Sequence, residues 1–139
     1  MNLNFAEQSI QLEIGSILEV SSFYASKPWG FESVNDFLNE VMLIETDLSP
    51  LELLNKIKLI EKKMGRAINL DGKYHDRIID IDILFYDNQI VRLPNLIIPH
   101  PMLEKRDFVL IPLSEIAPDF VHPLLQKTIL SMKNDLMNE

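Results

Sequence analysis

The chain has 139 residues, and 13 Lys and Arg against 21 Asp and Glu give it a formal charge of −8. That length suits one domain spanning 1–139, and 47% apolar with 24% charged residues excludes wholesale disorder. The lack of cysteine rules out disulfide frameworks, Cys-ligated zinc, iron–sulfur clusters and thiol nucleophiles, and the acidic balance argues against nucleic-acid or anionic-membrane partners. No apolar run approaches the ~20 residues that cross a bilayer. The N-terminus lacks the basic and apolar regions of a signal peptide, so the cytoplasm is the expected compartment.

Leu3, Ala6, Ile10 and Ile14 fall on one helical stripe over residues 3–14, with Gly15 as the expected C-terminal cap. Ile17 to Ala25 reads as a strand, and Ser26-Lys27-Pro28-Trp29-Gly30 breaks it into an irregular loop. Phe37 to Thr46 reads as a second strand. Its alternation puts Val41 and Leu43 on one face, Met42 and Ile44 on the other, with both faces expected to be covered. The clearest helix opens at Ser49, with Pro50 at its first position and Glu52 completing a capping box. Leu53, Leu54, Ile57, Ile60 and Met64 supply its apolar stripe, and Gly65 is expected to stop it.

Residues 66–76 are polar, carry Gly72, and read as a loop expected to be mobile without ligand. Arg77 to Tyr86 reads as a strand that Asp87-Asn88 turns into a partner around Gln89–Val91. Pro94, Pro99 and Pro101 exclude long regular structure, and Pro112, Pro118 and Pro123 leave room for short helical turns. The order helix, strand, strand, helix, strand, strand matches a ferredoxin-like βαββαβ sandwich, class α+β, that lacks its first strand.

The most informative segment is Arg77-Ile78-Ile79-Asp80-Ile81-Asp82-Ile83-Leu84-Phe85-Tyr86. On a strand, Asp80 and Asp82 project from one face with Cα atoms about 6.5–7 Å apart. Two carboxylates among isoleucines resist desolvation unless a cation sits between them, and magnesium takes such oxygen ligands. An amphipathic strand with its Asp face in water explains the same spacing. Lys62, Lys63, Arg66, Lys73 and Arg77 crowd one region of an acidic protein. Lys62 and Lys63 read as a solvated helix end. Arg66 and Arg77 bracket the loop and suit a polyphosphate.

His100 stands between Pro99 and Pro101, held either as a structural ring or as a phosphate donor, while His75 and His122 have no motif. Trp29, Phe37 and Phe108 stand beside loops and element ends, with Asn39 two residues after Phe37, and suit either a core or a sandwich around a flat heterocycle. No glycine-rich phosphate loop occurs, so a nucleotide would be held by side-chain cations and metal.

Several blocks occur in order: Ser21-Ser22-Phe23-Tyr24-Ala25-Ser26-Lys27-Pro28-Trp29-Gly30-Phe31, Phe37-Leu38-Asn39, Ile60-Glu61, Gly65-Arg66, and Arg77 through Leu84. Pro99-His100-Pro101-Met102, Arg106-Asp107-Phe108-Val109-Leu110-Ile111-Pro112-Leu113 and Glu115-Ile116-Ala117-Pro118 follow. Together they resemble the 6-hydroxymethyl-7,8-dihydropterin pyrophosphokinase family over nearly the whole chain. The resemblance implies transfer of pyrophosphate from ATP, as co-substrate, to a reduced pterin, with AMP leaving.

By position, the resemblance makes Asp80 and Asp82 the ligands of two Mg2+ ions, with Asp80 also near the pterin. It places Arg66 and Arg77 on the triphosphate, and Glu61, Ile83, His100 and Arg106 around ATP. Phe37 and Phe108 would stack on the pterin, Asn39 would read its edge, and Ser26, Lys27 and Trp29 would complete its loop. No general base stands out; Asp82 is one option. A monomer or weak dimer is expected. Two features depart from the family: Tyr74-His75-Asp76 replaces a Trp-Gly-Pro, and the opening strand with its Gly-Ser-Asn-Leu loop is missing. The second motivates an alternative, a shortened and catalytically impaired remnant that binds pterin or nucleotide. An unrelated interaction domain with a solvated Asp strand is the third reading.

Overall fold

The computed structural model describes residues 2–26, 37–69 and 80–138. The chain divides into two compact units, Met1–Ile17 with Ile44–Ile83, and Leu18–Leu43 with Leu84–Glu139.

In the first unit the helical stripes form as their spacing dictates. Helix α1 (Asn2–Glu13) contacts helix α2 (Pro50–Asn69). Ala6, Ile10 and Ile14 are buried, as are Ile57, Ile60 and Met64, while Leu53 and Leu54 are half-buried. The capping box at the start of α2 closes both ways: Glu52 N–H donates to Ser49 Oγ at 3.3 Å, and Ser49 N–H to Glu52 Oε1 at 2.9 Å. The Ser49 backbone N–H, and then the Ser49 hydroxyl, hold the Glu52 carboxyl's pKa below its usual value. Gly65 does not stop the helix, which continues to Asn69. One glycine costs a helix about 1 kcal/mol, and the Arg66-Ala67-Ile68 that follows is helix-compatible. Lys62 and Lys63 therefore lie inside α2 rather than in its last turn, and Lys63 pairs with Glu13 at 2.8 Å.

Gly15 is not a helix cap. It opens strand β1 (Gly15–Val20), which pairs with β4 (Met42–Thr46). A Cβ at Gly15 would collide with the carbonyl of Glu45, so only glycine permits this approach. Leu43 is 44% exposed, contrary to the expectation that both faces of this strand are covered.

In the second unit, β2 (Tyr24–Ser26) pairs antiparallel with β3 (Phe37–Asn39), matching Tyr24 with Asn39 and Ser26 with Phe37. The two long strands expected over 17–25 and 37–46 are thus each broken. Ser21 is the physical reason. Its N–H donates to Val41 O, while its Oγ, in place of a backbone carbonyl, accepts the Val41 N–H, both at 2.9 Å. Strand β5 (Val91–Leu93) pairs antiparallel with β6 (Leu96–Ile98), short pieces as the prolines require.

Helices α3 (Asp107–Ile116) and α4 (Ile129–Met137) replace the short turns expected in the C-terminal third. Pro112 is accommodated inside α3, where it forgoes one helical hydrogen bond. Val41, Leu103, Leu110, Leu113, Ile129 and Met132 form this unit's core, with Leu84, Phe85 and Phe120 packed on it.

The strand expected over Arg77–Tyr86 is not present at residues 80–86, which join no sheet among the described residues. Backbone groups there are satisfied elsewhere: Ile81 N–H by Glu61, and Leu84 O by His100 N–H. The turn at Asp87-Asn88 does form, with Asp87 at φ 51 and Gln89 N–H on Tyr86 O. The hairpin lies beyond it, between β5 and β6, rather than back onto 80–86. Four helices with small antiparallel sheets make the class α+β. Among the described residues the strands form three separate two-stranded sheets.

Candidate active site

Two groups of the expected residues are assembled, one in each unit. In the first, α2 carries Glu61 just past its midpoint, beside buried Ile60. Glu61 Oε2 accepts the Ile81 N–H at 2.8 Å, so the helix grips the chain between the two aspartates. Asp80 and Asp82 are exposed, while Ile81 and Ile83 are half-buried. This alternation is what an extended segment with one wet face produces. The acids are not in a buried setting, so desolvation does not itself call for a cation between them. The chemistry of the donors is the remaining argument: oxygen atoms only, with a third carboxylate held on the intervening amide.

In the second unit the β2–β3 register puts positions 24, 26, 37 and 39 on one face. Asn39 Nδ2 donates to Tyr24 O at 2.9 Å, bracing the pair from the side. Helix α3 contacts both strands. The Tyr24 hydroxyl donates to Asp107 Oδ2 at 3.4 Å, at the first residue of α3. Burial, and then the Asp107 carboxylate, raise the Tyr24 phenol's pKa above its usual value. Phe108 follows directly, and the Arg106 guanidinium lies over its ring, 5.6 Å from the centroid. An aromatic ring and a guanidinium therefore meet at the start of α3, and Tyr24 links that end of the helix to the strand pair that carries Asn39.

His100 is half-buried, and its backbone N–H is held by Leu84 O at 3.0 Å. Its Nδ1 accepts the Met102 N–H at 3.4 Å. His122, which has no sequence motif, is buried, with Nδ1 accepting from Leu124 and Leu125 N–H, both at 3.1 Å. Its ring meets Phe85 edge-on at 5.5 Å, so it is a core residue.

Lys27, Trp29 and Arg77 lie outside the described residues, as do Lys73, Tyr74-His75-Asp76 and most of the loop expected to be mobile. Arg66 lies on the last turns of α2 rather than in a loop, and Ser26 and Phe37 are placed by their strands alone. Tyr24, Asp107, Ser22 and Glu115 were missed as site-building residues. For Tyr24 the signal was available, since strand alternation puts it on the face of Ser26. A surface groove of about 420 Å³ along Glu7, Gln8, Gln11, Leu12 and Ile17 contains none of the expected site residues.

Against known proteins, the family model of 7,8-dihydro-6-hydroxymethylpterin-pyrophosphokinase matches residues 1–118. The 2-amino-4-hydroxy-6-hydroxymethyldihydropteridine pyrophosphokinase of Aquifex aeolicus is 46% identical over 121 residues, which is 87% of this chain and 74% of that protein. The protein of the same name from Porphyromonas gingivalis is 43% identical over 87% of this chain and 83% of its own length. Folic acid synthesis protein FOL1 of Dictyostelium discoideum is 43% identical over 92% of this chain, a span that is 19% of that larger protein. The class so defined is that of the pyrophosphokinases, transferases that take a diphosphate from ATP. The chain belongs to the 7,8-dihydro-6-hydroxymethylpterin-pyrophosphokinase family.

Proposed function

We propose that the chain transfers pyrophosphate from ATP to the hydroxymethyl group of 6-hydroxymethyl-7,8-dihydropterin in folate biosynthesis. The observation that carries this reading is the family match over 1–118, a span that contains every site residue named above. In the reaction the hydroxymethyl oxygen bonds to the β-phosphorus, the bond from that phosphorus to the α,β-bridging oxygen breaks, and AMP leaves with the bridging oxygen. The hydroxymethyl proton is released. Phosphoryl transfer of this kind asks little covalent work of a protein and much positioning and charge neutralisation.

Asp80 and Asp82 are the residues that would hold magnesium. They offer hard oxygen donors two residues apart, which suits an ion that takes one or two carboxylates and completes its shell with water and phosphate oxygens. Among the described residues no group of three His, Cys, Asp or Glu is arranged to hold a metal. When bound, two magnesium ions supply neutralisation of the triphosphate charge. Glu61 steadies the Asp80–Asp82 segment, and Arg66 and Arg77 counter phosphate charge. Ile83, His100 and Arg106 complete the nucleotide side.

On the pterin side Phe108 and Phe37 stack on the heterocycle, Asn39 reads its edge, and Ser26, Lys27 and Trp29 close the loop. Asn39 meets that role already braced, because one amide hydrogen is committed to Tyr24 O. The finer architecture is a ferredoxin-like sandwich in a single domain of 1–139, acting in the cytoplasm as a monomer or weak dimer. Among the described residues no helix is long and apolar enough to cross a membrane. The test is AMP release by the purified chain. It should require ATP, magnesium and the reduced pterin together. Release that ignores the pterin would refute the assignment, and ligand binding without turnover would favour the remnant.

A further inference from the structure

Helix α3 is tied to the strand side of its unit at both ends. Near its C-terminus, Glu115 Oε1 accepts two hydrogen bonds from Ser22, the backbone N–H at 2.9 Å and the hydroxyl at 2.8 Å. At its first residue, Asp107 takes the longer bond from the Tyr24 hydroxyl, 3.4 Å. The two acceptors are eight residues apart, about 12 Å along a helix axis. One link would leave a pivot; two at opposite ends set both position and direction.

The strand end of the stronger link is itself anchored. Ser22 follows Ser21, which exchanges two hydrogen bonds with Val41, a residue of the unit's core. Ser22 and Glu115 are both exposed, so burial does not hold them together, and neither carries a step of the reaction above. A carboxylate accepting two donors on one oxygen is a charge-assisted contact, stronger than a neutral pair. The other end of α3 carries Phe108, directly after Asp107, and the helix contacts both β2 and β3, the strand that bears Asn39.

We propose that Glu115 is a positioning residue for the pterin: by gripping Ser22 it fixes α3 on β2, and so fixes Phe108 relative to Asn39. The inference rests on the functional reading above. Of the nucleotide residues, Glu61, Asp82 and Ile83 belong to the other unit, while Arg106 directly precedes α3 beside Phe108, so the pterin KM should respond more strongly than the ATP KM.

The test is steady-state kinetics of the full chain with magnesium, ATP and 6-hydroxymethyl-7,8-dihydropterin, comparing Glu115→Ala, Glu115→Gln and Ser22→Ala. Circular dichroism checks the fold of each. In Glu115→Ala the KM for pterin should rise about tenfold while the KM for ATP stays within about twofold. Glu115→Gln keeps an acceptor oxygen and should return the pterin KM to within about twofold of the parent. Ser22→Ala keeps the N–H and should fall between them; if Glu115→Ala fails to fold, this variant decides alone. An unchanged pterin KM, an equal rise in both KM values, or failure of Gln to rescue would overturn the inference. A parent chain that shows no pterin-dependent AMP release would instead overturn the functional reading itself, and this inference with it.

Discussion

Glu61 holds the backbone of Ile81, its Oε2 accepting that N–H at 2.8 Å across twenty residues of chain. The amide it holds is the one between Asp80 and Asp82, in a segment that joins no sheet among the described residues. A side chain on a long helix thus does locally what a strand partner does in a ladder. A hydrogen bond to a charged group contributes about 1.5–3 kcal/mol. Glu61→Ala should therefore raise the KM for ATP about tenfold, and Glu61→Gln much less, because its amide oxygen still accepts. Steady-state kinetics at saturating pterin measure both.

Asp82 is exposed, so its removal leaves no cavity in the core. Asp82→Ala should fold with a thermal midpoint close to that of the parent. Its magnesium-dependent turnover should drop by about a hundredfold or more, the scale of losing one charge-stabilising group. Near-parental rates would contradict its assignment as a magnesium ligand.

Gly15→Ala tests the approach of β1 to β4. The added methyl would strike the Glu45 carbonyl, and that atom is backbone rather than the end of a flexible side chain. Relieving the collision should cost about 1–3 kcal/mol, read as a lowered urea midpoint with an unchanged slope.

His122 makes stability depend on pH. Burial holds its imidazole below the usual 6.5, against an opposing pull from the Glu104 charge. The unfolded chain takes up a proton at higher pH than the folded one, so protonation favours unfolding. The contribution is full above the unfolded value of about 6.5 and is lost as the pH falls through the folded one. Protonation would also remove the Nδ1 acceptor that Leu124 and Leu125 N–H use. The urea midpoint of the parent should fall more between about pH 7.5 and 5.5 than that of His122→Leu, which cannot titrate.

Local signals were legible in the sequence. Ser49-Pro50-Leu51-Glu52 specified a helix start that forms bond for bond, because a capping box is closed within four residues. The stripes of α1 and α2 were legible for the same reason. Strand limits were not, since they depend on distant partners. Ser21 breaks two strands by lending its hydroxyl to Val41, twenty residues away, and nothing in its own neighbourhood announces that. The segment 80–86 has strand composition, but its backbone partners, Glu61 and His100, are side-chain and loop groups remote in sequence. The aspartate pair, Asn39, Arg106 and Phe108 were readable as an ordered set of motifs. Tyr24 with Asp107 and Ser22 with Glu115 span 83 and 93 residues, and only the fold brings them together.

The most direct measurement is phosphorus NMR of the chain incubated with ATP, magnesium and 6-hydroxymethyl-7,8-dihydropterin. Equal amounts of AMP and a pterin diphosphate should grow in, with no ADP. Appearance of ADP with a pterin monophosphate, or ATP consumption indifferent to the pterin, would contradict pyrophosphate transfer by this protein.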